Sequence, residues 1–316
     1  MPDHGDLSRV DTSFPHPARV YDAWLGGKDN FAADRAAAEA GVAAFPGIIE
    51  SARANRAFLR RAVRYLAAEA GMRGFVDIGT GLPSAPNTHE VAQSVAPHSS
   101  IVYVDNDPIV LAHARALLTS GGPGKTGYID ADLRDPGKIL REAAELLNLS
   151  EPVAVMLIGI MHLISDEDQP YEIVGTLLDA VPPGSYLAMS HPGSDLYREE
   201  MAEFARVWNK QARKTEQATL RGHAEVSRFF DGLDVVPPGI VQISKWLPRA
   251  EPEADAIAAW WGAVARKPLR PGGRGGDQAC CSRNFSPGGT ADAAARARNR
   301  PRTKGHRPSR GWRRRS

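Results

Sequence analysis

The stretch of this chain best suited to chemistry is Phe75-Val76-Asp77-Ile78-Gly79-Thr80-Gly81. An apolar segment ends in a carboxylate and then breaks into Gly-x-Gly, a pattern by which a doubly wound α/β protein ends a strand and turns into a helix over a ligand. A dinucleotide-binding loop would carry a third glycine at position 84, where this chain has Ser84 after Pro83. The spacing therefore disfavours NAD as the ligand.

The carboxylate in front of the glycines indicates which ligand the loop suits. Asp77 would face a pyrophosphate unfavourably, but it would attract an ammonium group. S-adenosylmethionine (SAM) carries an ammonium group on its methionine end, and NAD does not. We therefore take Asp77, Gly79, Thr80 and Gly81 as candidate residues for binding SAM.

A second carboxylate, Asp105, ends the β-rich run Ile101-Val102-Tyr103-Val104 and follows Gly81 by 24 residues. This distance allows one helix and a turn, so Asp105 is expected at the tip of the second strand, where it can accept both hydroxyls of a ribose. The alternative is that Asp105 caps the next helix. Asn106 belongs to the same turn, and Asp107 is better explained as a first-turn acid favoured by the helix dipole.

Two histidines are candidates for a general base. His162 and His191 follow the fourth and fifth predicted strands and could reach the edge of the sheet where ligands bind. The alternative for each is a histidine used for packing or in a turn. The fourth strand is followed by Gly159-Ile160-Met161 and not by a tetrapeptide like Asn-Pro-Pro-Tyr, which argues against amino methylation of DNA bases.

The elements that must position these residues alternate from Phe75 onward. Alternating strands and helices predict a parallel sheet with helices on both faces and with its strand ends at one edge. The predicted strands are Phe75–Ile78, Ile101–Val104, Gly127–Ile129, Val153–Ile158 and Ser185–Met189. After His191 we predict helices over Asp195–Leu220 and Ala224–Phe230, and then an antiparallel pair of strands, Gly239–Trp246 and Ala258–Ala265, at the sheet edge.

Residues 1–70 precede the first strand and have a helical pattern, which predicts an N-terminal helical arm or cap. Within it, Pro15–Asn30 mixes aromatic residues with a Gly-Gly pair. Such a segment is either an arm packed on the body or a lid over a ligand.

The C-terminal residues 269–316 differ from the rest. They contain 13 Lys and Arg against two acids, a net charge of +11, whereas residues 1–268 carry 26 Lys and Arg against 35 Asp and Glu, a net charge of −9. With few large apolar residues this tail is expected to be disordered. It is either a nucleic-acid-binding arm, a linker, or the product of out-of-frame translation. An acidic body makes a nucleic-acid substrate unlikely except through this tail.

The positions of the cysteines and the hydropathy of the chain argue against several other classes of protein. Both cysteines, Cys280 and Cys281, lie in the tail, so the body offers no disulfide framework and no cysteine metal site. The longest apolar run, Pro152–Ile164, is too short to span a membrane and is better read as a central strand. With no signal peptide, the chain is expected to be cytoplasmic and without a bound metal.

Taken together, these residues resemble a class I SAM-dependent methyltransferase, and most closely an actinobacterial family of S-adenosyl methyltransferases that was long of unknown function. The resemblance covers about residues 10–268. It is carried by His16-Pro17-Ala18-Arg19-Val20-Tyr21-Asp22, Leu25-Gly26-Gly27-Lys28-Asp29-Asn30-Phe31, Ala54-Asn55-Arg56, the Asp77 loop, Val104-Asp105-Asn106-Asp107-Pro108, Ala131-Asp132-Leu133-Arg134-Asp135-Pro136 and Ile164-Ser165-Asp166.

The resemblance implies a Rossmann-like sheet of seven strands, mostly parallel with an antiparallel last strand, in residues 71–268. It implies that Asp132 and the Leu133 backbone contact the adenine, although Asp132 could instead cap a helix. It further implies that Gly159 and Ile160 line the floor beneath the sulfonium, and that Tyr21, Lys28 and Asn30 belong to a lid over the cofactor.

The expected function is methyl transfer from SAM to a small-molecule acceptor, such as a secondary metabolite. The alternative is a regulatory module that binds SAM without catalysis; a nucleotide-dependent oxidoreductase is disfavoured by Asp77 and Ser84.

Overall fold

The structure, a computed structural model, describes residues 11–117, 123–247 and 255–269. All of these residues belong to one compact unit, Met1–Gly272, which includes both the N-terminal arm and the sheet. A second unit, Gly273–Ser316, and with it the prediction that the basic tail is disordered, lies outside the described residues. In the part of the chain that is described, no helix is both long and apolar enough to cross a lipid bilayer.

The described helices alternate with strands from residue 74 to residue 192, and two helices and three strands follow. The helices are α1 (Pro17–Trp24), α2 (Ala32–Ala44), α3 (Ile48–Ala68), α4 (Thr88–Val95), α5 (Pro108–Leu117), α6 (Pro136–Leu146), α7 (Pro170–Asp179), α8 (Arg198–Gln211) and α9 (His223–Arg228). The strands are β1 (Gly74–Ile78), β2 (Ser100–Asp105), β3 (Thr126–Asp130), β4 (Val153–Ile158), β5 (Tyr186–Pro192), β6 (Asp234–Val235), β7 (Val241–Gln242) and β8 (Trp260–Arg266).

The strands form one sheet in the order β3-β2-β1-β4-β5-β8-β6, with β7 also paired to β8. The first five strands are parallel, and β8 runs antiparallel beside β5. This confirms the predicted α/β fold with an antiparallel last strand. The described sheet has eight strands where the resemblance implied seven, because two short segments, β6 and β7, both pair with β8.

Apolar residues on both faces of the strands explain why helices cover both sides of the sheet. On β1, Phe75 belongs to a core shared with α3, and its neighbour Val76 belongs to a core shared with α6 and α7. Successive side chains of a strand point to opposite faces, so these are the two sides of one sheet. The predicted central strand Val153–Ile158 is confirmed as β4, buried between β1 and β5.

The register brings the candidate residues to one edge. β1 and β2 pair with Ile78 opposite Val104, so the Gly79 loop and Asp105 leave the sheet side by side. β2 and β3 pair with Asp105 opposite Asp130, which places the turn that contains Asp132 next to them. Glu90 accepts the backbone N–H of Asn87 at 2.6 Å and so helps to begin α4 above the glycine loop.

The predicted helix over Asp195–Leu220 is wrong in extent. α8 begins at Arg198 and ends at Gln211, and the chain then turns back along the helix. Trp208 Nε1 donates to the Glu216 carbonyl at 2.8 Å, and Asn209 Oδ1 accepts the Ala218 N–H at 2.7 Å. Polar side chains near the end of α8 thus hold the returning chain, which the helical pattern alone could not predict.

The predicted strand over Gly239–Trp246 is also wrong in extent, since only Val241 and Gln242 pair with β8. Residues Ile243–Lys245 form a turn of 3-10 helix instead. The buried Arg61 of α3 donates to the carbonyls of Ile243 at 2.6 Å and Trp246 at 2.8 Å. In a longer strand these two carbonyls would instead have accepted hydrogen bonds within the sheet.

Candidate active site

A cavity of about 210 Å³ opens at the carboxyl ends of the parallel strands. Most of the residues predicted to contact a cofactor or to act in catalysis line it: Tyr21, Asp77, Gly79, Thr80, Gly81, Asp105, Asn106, Asp132, Leu133, Gly159, Ile160 and His162. Three others, Lys28, Asn30 and His191, are not among its lining residues.

The glycine loop is held by backbone contacts that demand its glycines. Gly79 has a φ of +72° and donates its N–H to the Val104 carbonyl at 2.8 Å. A Cβ on Gly79 would lie 2.5 Å from Cγ1 of Ile160, so a side chain there would displace the loop after β4. Gly81 has a φ of +66° and open space around it. The left-handed backbone at both positions favours glycine, and it lets the loop lie close to a ligand.

Asp77 ends β1 with its carboxylate buried beside this loop. The side chain is 4% exposed, and Thr88 of α4 donates to its Oδ2 at 2.6 Å. Burial raises the pKa of Asp77, while the Thr88 hydrogen bond and the nearby Arg56 guanidinium oppose that shift. A buried carboxylate with one neutral donor is well suited to gain from a cationic ligand.

Asp105 connects the glycine loop after β1 with the turn after β2. Its Oδ2 accepts the Gly81 N–H at 2.9 Å, and its Oδ1 accepts the Asp107 N–H at 3.0 Å. Burial raises the pKa of Asp105 to about 6, and the Asp107 carboxylate adds to this rise against the backbone hydrogen bonds. Asp107 itself accepts the Ile109 N–H at 2.8 Å in the first turn of α5, so helix capping falls to Asp107.

Asp132 sits in the turn after β3. Its Oδ1 accepts the Arg134 N–H at 2.8 Å and lies 3.2 Å from the Arg134 guanidinium, and Asn106 donates to its Oδ2 at 3.1 Å. The residue that caps α6 is Asp135, which accepts the Lys138 N–H at 2.9 Å. Asp132 therefore does not cap α6, which was the alternative explanation for this residue.

The two candidate histidines differ sharply in position. His162 lines the cavity in the turn after β4, where burial and then Arg221 lower its pKa to about 3. Its Nδ1 is buried and has no hydrogen-bond partner among the described residues. His162 is thus a neutral ring that can exchange a hydrogen bond with a ligand but holds a proton poorly.

His191 is fully buried behind His162, with their ring centroids 6.3 Å apart. Its Nδ1 lies 2.9 Å from the Pro192 carbonyl oxygen, so it carries the proton, and its Nε2 accepts from Arg221 at 3.1 Å. Both ring nitrogens are occupied within the protein. This geometry favours the packing interpretation of His191 over the general base.

Arg221 is a buried cation that the sequence analysis missed. It is 1% exposed and donates to the carbonyls of Met161 at 3.1 Å and Ile164 at 2.9 Å, and to Asp166 at 2.6 Å. These bonds fix the turn that carries His162. A lone arginine between two predicted helices gives no local signal of this role, which depends on contacts about 60 residues apart in sequence.

Arg56 is a second missed cation, in the Ala54-Asn55-Arg56 motif of α3. It lines the cavity and donates to the backbone carbonyls of Ser84 and Pro86, and its Nε is buried without a partner. Arg56 is close enough to Asp77 to lower its pKa. The motif was visible in the sequence, but helical periodicity could not show that its arginine faces the glycine loop.

The N-terminal arm supplies α1 to the cavity wall. Tyr21 donates its hydroxyl to the Ala52 carbonyl at 2.9 Å and accepts from Asn55 at 3.3 Å. Lys28 is exposed, and Asn30 donates to Oδ2 of Asp22 at 2.9 Å. The arm therefore presents Tyr21 and Asp22 to the cavity, whereas Lys28 and Asn30 lie in the turn that follows.

Comparisons with known proteins agree with this geometry. The sequence model of a family described as S-adenosyl methyltransferase matches residues 3–268. A DUF574-family protein from Streptomyces avermitilis is 48% identical, with a TM-score of 0.79 over 82% of this chain and 100% of its own. A proposed methyltransferase from Thermobifida fusca is 41% identical, with a TM-score of 0.76 over 82% of this chain and 97% of its own. A search of curated proteins found no match.

Proposed function

The chain belongs to the S-adenosyl methyltransferase family, and we propose that it methylates a small-molecule acceptor, using the residues of the cavity described above. When bound, SAM supplies a methyl group on a positively charged sulfur, from which the carbon–sulfur bond breaks with both electrons going to sulfur. The protein's task in such an in-line displacement is to align the acceptor with that carbon and to exclude water.

The donor set of the cavity fits SAM at each of its polar groups. The buried Asp77 would face the ammonium group, and Arg56, with an unpartnered Nε, would face the carboxylate of the methionine end. Asp105 would accept the ribose hydroxyls through lone pairs that its two backbone donors leave free.

The adenine end has matching chemistry. Asp132, whose oxygens already accept from Arg134 and Asn106, would accept from the amino group of the ring. Leu133 is buried in the cavity wall and would contact the ring face, beside the backbone of the same turn. Thr80, Gly159 and Ile160 would complete the wall around the methionine and the sulfur.

The acceptor side needs a group that orients the nucleophile. His162, neutral because burial holds its pKa near 3, would accept a hydrogen bond from the acceptor and turn a lone pair toward the methyl carbon. We assign this positioning role to His162, whereas His191 would help to hold the turn after β4. The proton displaced from the acceptor would leave to water.

The domain division that we propose keeps residues 1–70 as a cap and 71–268 as the methyltransferase domain. Support comes from the cavity wall, to which α1 contributes Tyr21 and Asp22 and α3 contributes Arg56, while both helices also belong to the core that includes Phe75 of β1. A cap of this kind would exclude water from the reacting atoms.

The observation that carries the proposal is the contrast between the two ends of the cavity. Charged groups suited to SAM gather at the glycine loop, whereas the wall formed by α1, α8 and β8 is rich in aromatic rings. The net charge of −9 on residues 1–268 also disfavours a polyanionic acceptor.

The test is isothermal titration with S-adenosylhomocysteine (SAH) and with NAD, followed by transfer of a deuterated methyl group from SAM. We expect SAH and not NAD to bind, and the label to appear in small molecules of a broad acceptor panel. Label found only in nucleic acid or protein, or SAH binding with no transfer to any acceptor, would count against this function; the latter result would favour a regulatory SAM-binding module.

A further inference from the structure

The wall of the cavity away from the glycine loop forms what we call the acceptor chamber. Its members are apolar side chains from α1, α8, the segment after α8 and β8: Trp24, Met201, Phe204, Trp208, Leu220 and Trp260. Four of the six are aromatic, and five are classed as buried in the protein.

The rings of the acceptor chamber are held in place by the body. Trp24 and Phe204 have ring centroids 5.8 Å apart, and a Cβ added to Gly41 would lie 3.0 Å from the first ring and 3.1 Å from the second. Trp24 Nε1 donates to the Ala38 carbonyl at 3.1 Å, and Trp208 Nε1 donates to the Glu216 carbonyl at 2.8 Å. With their N–H groups used, these two rings offer carbon surface to a ligand.

Two carboxylates on the cavity wall near this chamber differ in how fully they are paired among the described residues. Asp22 accepts from Asn30 at 2.9 Å and from the Asp29 N–H at 3.1 Å. Glu216 lies 4.0 Å from His16, which in turn lies 3.0 Å from the Asp107 carboxylate. Oε2 of Glu216 is buried without a hydrogen-bond partner among these residues. An anionic acceptor would lose its hydration beside these carboxylates, which is costly.

Two further buried polar atoms that lack a partner among the described residues lie at the Trp260 end of the chamber. Trp260 Nε1 and His162 Nδ1 are both buried and without a hydrogen-bond partner, and the two rings meet edge to face with centroids 5.6 Å apart. Both residues line the cavity. Buried polar atoms left unsatisfied cost free energy, so a ligand that brings one small polar group to them is favoured.

We propose that the acceptor chamber takes an aromatic molecule that carries no negative charge and has a single hydroxyl or amino substituent, which is directed at His162 and Trp260. This inference rests on the proposed function, since it identifies the acceptor class for the same cavity. The aromatic ring of the acceptor would stack or meet edge to face with the chamber rings, while its substituent supplies the nucleophile.

The test measures binding to the SAH-saturated protein by isothermal titration, with three matched probes. We expect 2-naphthol to bind at least about tenfold more tightly than its saturated counterpart decahydro-2-naphthol, which lacks the ring interactions, and than the anion 2-naphthoate, which must lose its hydration. Equal or tighter binding of either comparison probe would overturn the proposal. SAH binding, measured first, reports on the cofactor site separately, so its loss would count against the proposed function instead.

A pair of variants tests the polar contact. Trp260→Phe keeps a ring but removes the N–H, and we expect it to weaken 2-naphthol about fivefold, the worth of one hydrogen bond. Trp261→Phe is the matched control: Trp261 is the next residue on β8, does not line the cavity, and donates to Asp195 at 2.7 Å. We expect it to bind the probe as the wild type does, and both variants to bind SAH unchanged. Equal 2-naphthol affinity in the wild type and Trp260→Phe would contradict the role given to Trp260.

Discussion

Binding of SAH should weaken as the pH falls through the pKa of Asp105. The ionised carboxylate is the form that can accept two ribose hydroxyls, and burial raises the pKa of Asp105 to about 6. The sign follows from this direction: the carboxylate is ionised above pH 6 and becomes protonated below it, so the favourable interaction is present at high pH and is lost on acidification.

The size of the effect follows from the titration of one group. With a pKa of about 6, roughly half of the protein has ionised Asp105 at pH 6 and about a tenth at pH 5. If the protonated form binds negligibly, the dissociation constant for SAH should rise about twofold at pH 6 and about tenfold at pH 5, relative to pH 8. SAH binding would itself shift this pKa downward, because the ligand stabilises the charged form.

The assay is isothermal titration of SAH between pH 5 and 8, with three variants. Asp105→Asn should bind more weakly at pH 8 and lose the change centred near pH 6. Asp77→Asn should also bind more weakly but keep that change, since Asp105 is intact. The control Asp135→Asn alters a cap of α6 that does not line the cavity, and it should keep the wild-type profile. A flat wild-type profile, or an unchanged inflection in Asp105→Asn, would refute the reasoning.

Three further predictions concern the cations and the histidine of the site. Arg56→Met should raise the dissociation constant for SAH by about 10- to 150-fold, the worth of a charged hydrogen bond, and Arg56→Lys should recover part of the loss. Equal SAH affinity in the wild type and both variants would contradict the proposal that Arg56 binds the carboxylate of the ligand. Because the pKa of His162 is about 3, kcat/KM should show no inflection due to this ring between pH 5 and 9. His162→Gln should keep more activity than His162→Ala, and an inflection that vanishes in His162→Gln would show that the ring acts as a general base. Arg221→Met should lower the free energy of unfolding by about 2–4 kcal/mol in urea titrations, since it strands the carbonyls of Met161 and Ile164; a loss below about 1 kcal/mol would mean that water replaces the arginine.

The sequence predicted the donor half of the site because that half is local. Strand ends and the turns directly after them supply Asp77, Gly79, Gly81 and Asp105, and the register of β1 with β2 brings them together without help from distant residues. A short apolar run that ends in a carboxylate and a glycine spacing are enough to locate such turns. Their contacts to SAM stay predictions.

What the sequence did not predict depends on long-range hydrogen bonds. Arg61 ends the expected strand at Gln242 by binding carbonyls about 180 residues away, and Trp208 and Asn209 end α8 by holding the chain that returns from it. Helical and strand periodicities describe which face of an element is apolar, but they carry no information about where a distant polar side chain will capture the backbone.

The donor end of the cavity and the acceptor chamber differ in how readily a substitution can change them. The donor end of the cavity is built on backbone: at Gly79 a side chain would collide with Ile160, and a backbone N–H of the loop holds Asp105. The acceptor chamber is built from side chains that come from positions as far apart as Trp24 and Trp260 and that meet only through packing. A substitution in the chamber can therefore change the shape offered to an acceptor while the glycine loop, and with it SAM binding, stays intact. Variants of Phe204 or Leu220 should then alter which acceptors bind without altering SAH affinity, which is the physical reason why one methyl-donor site can serve different acceptors.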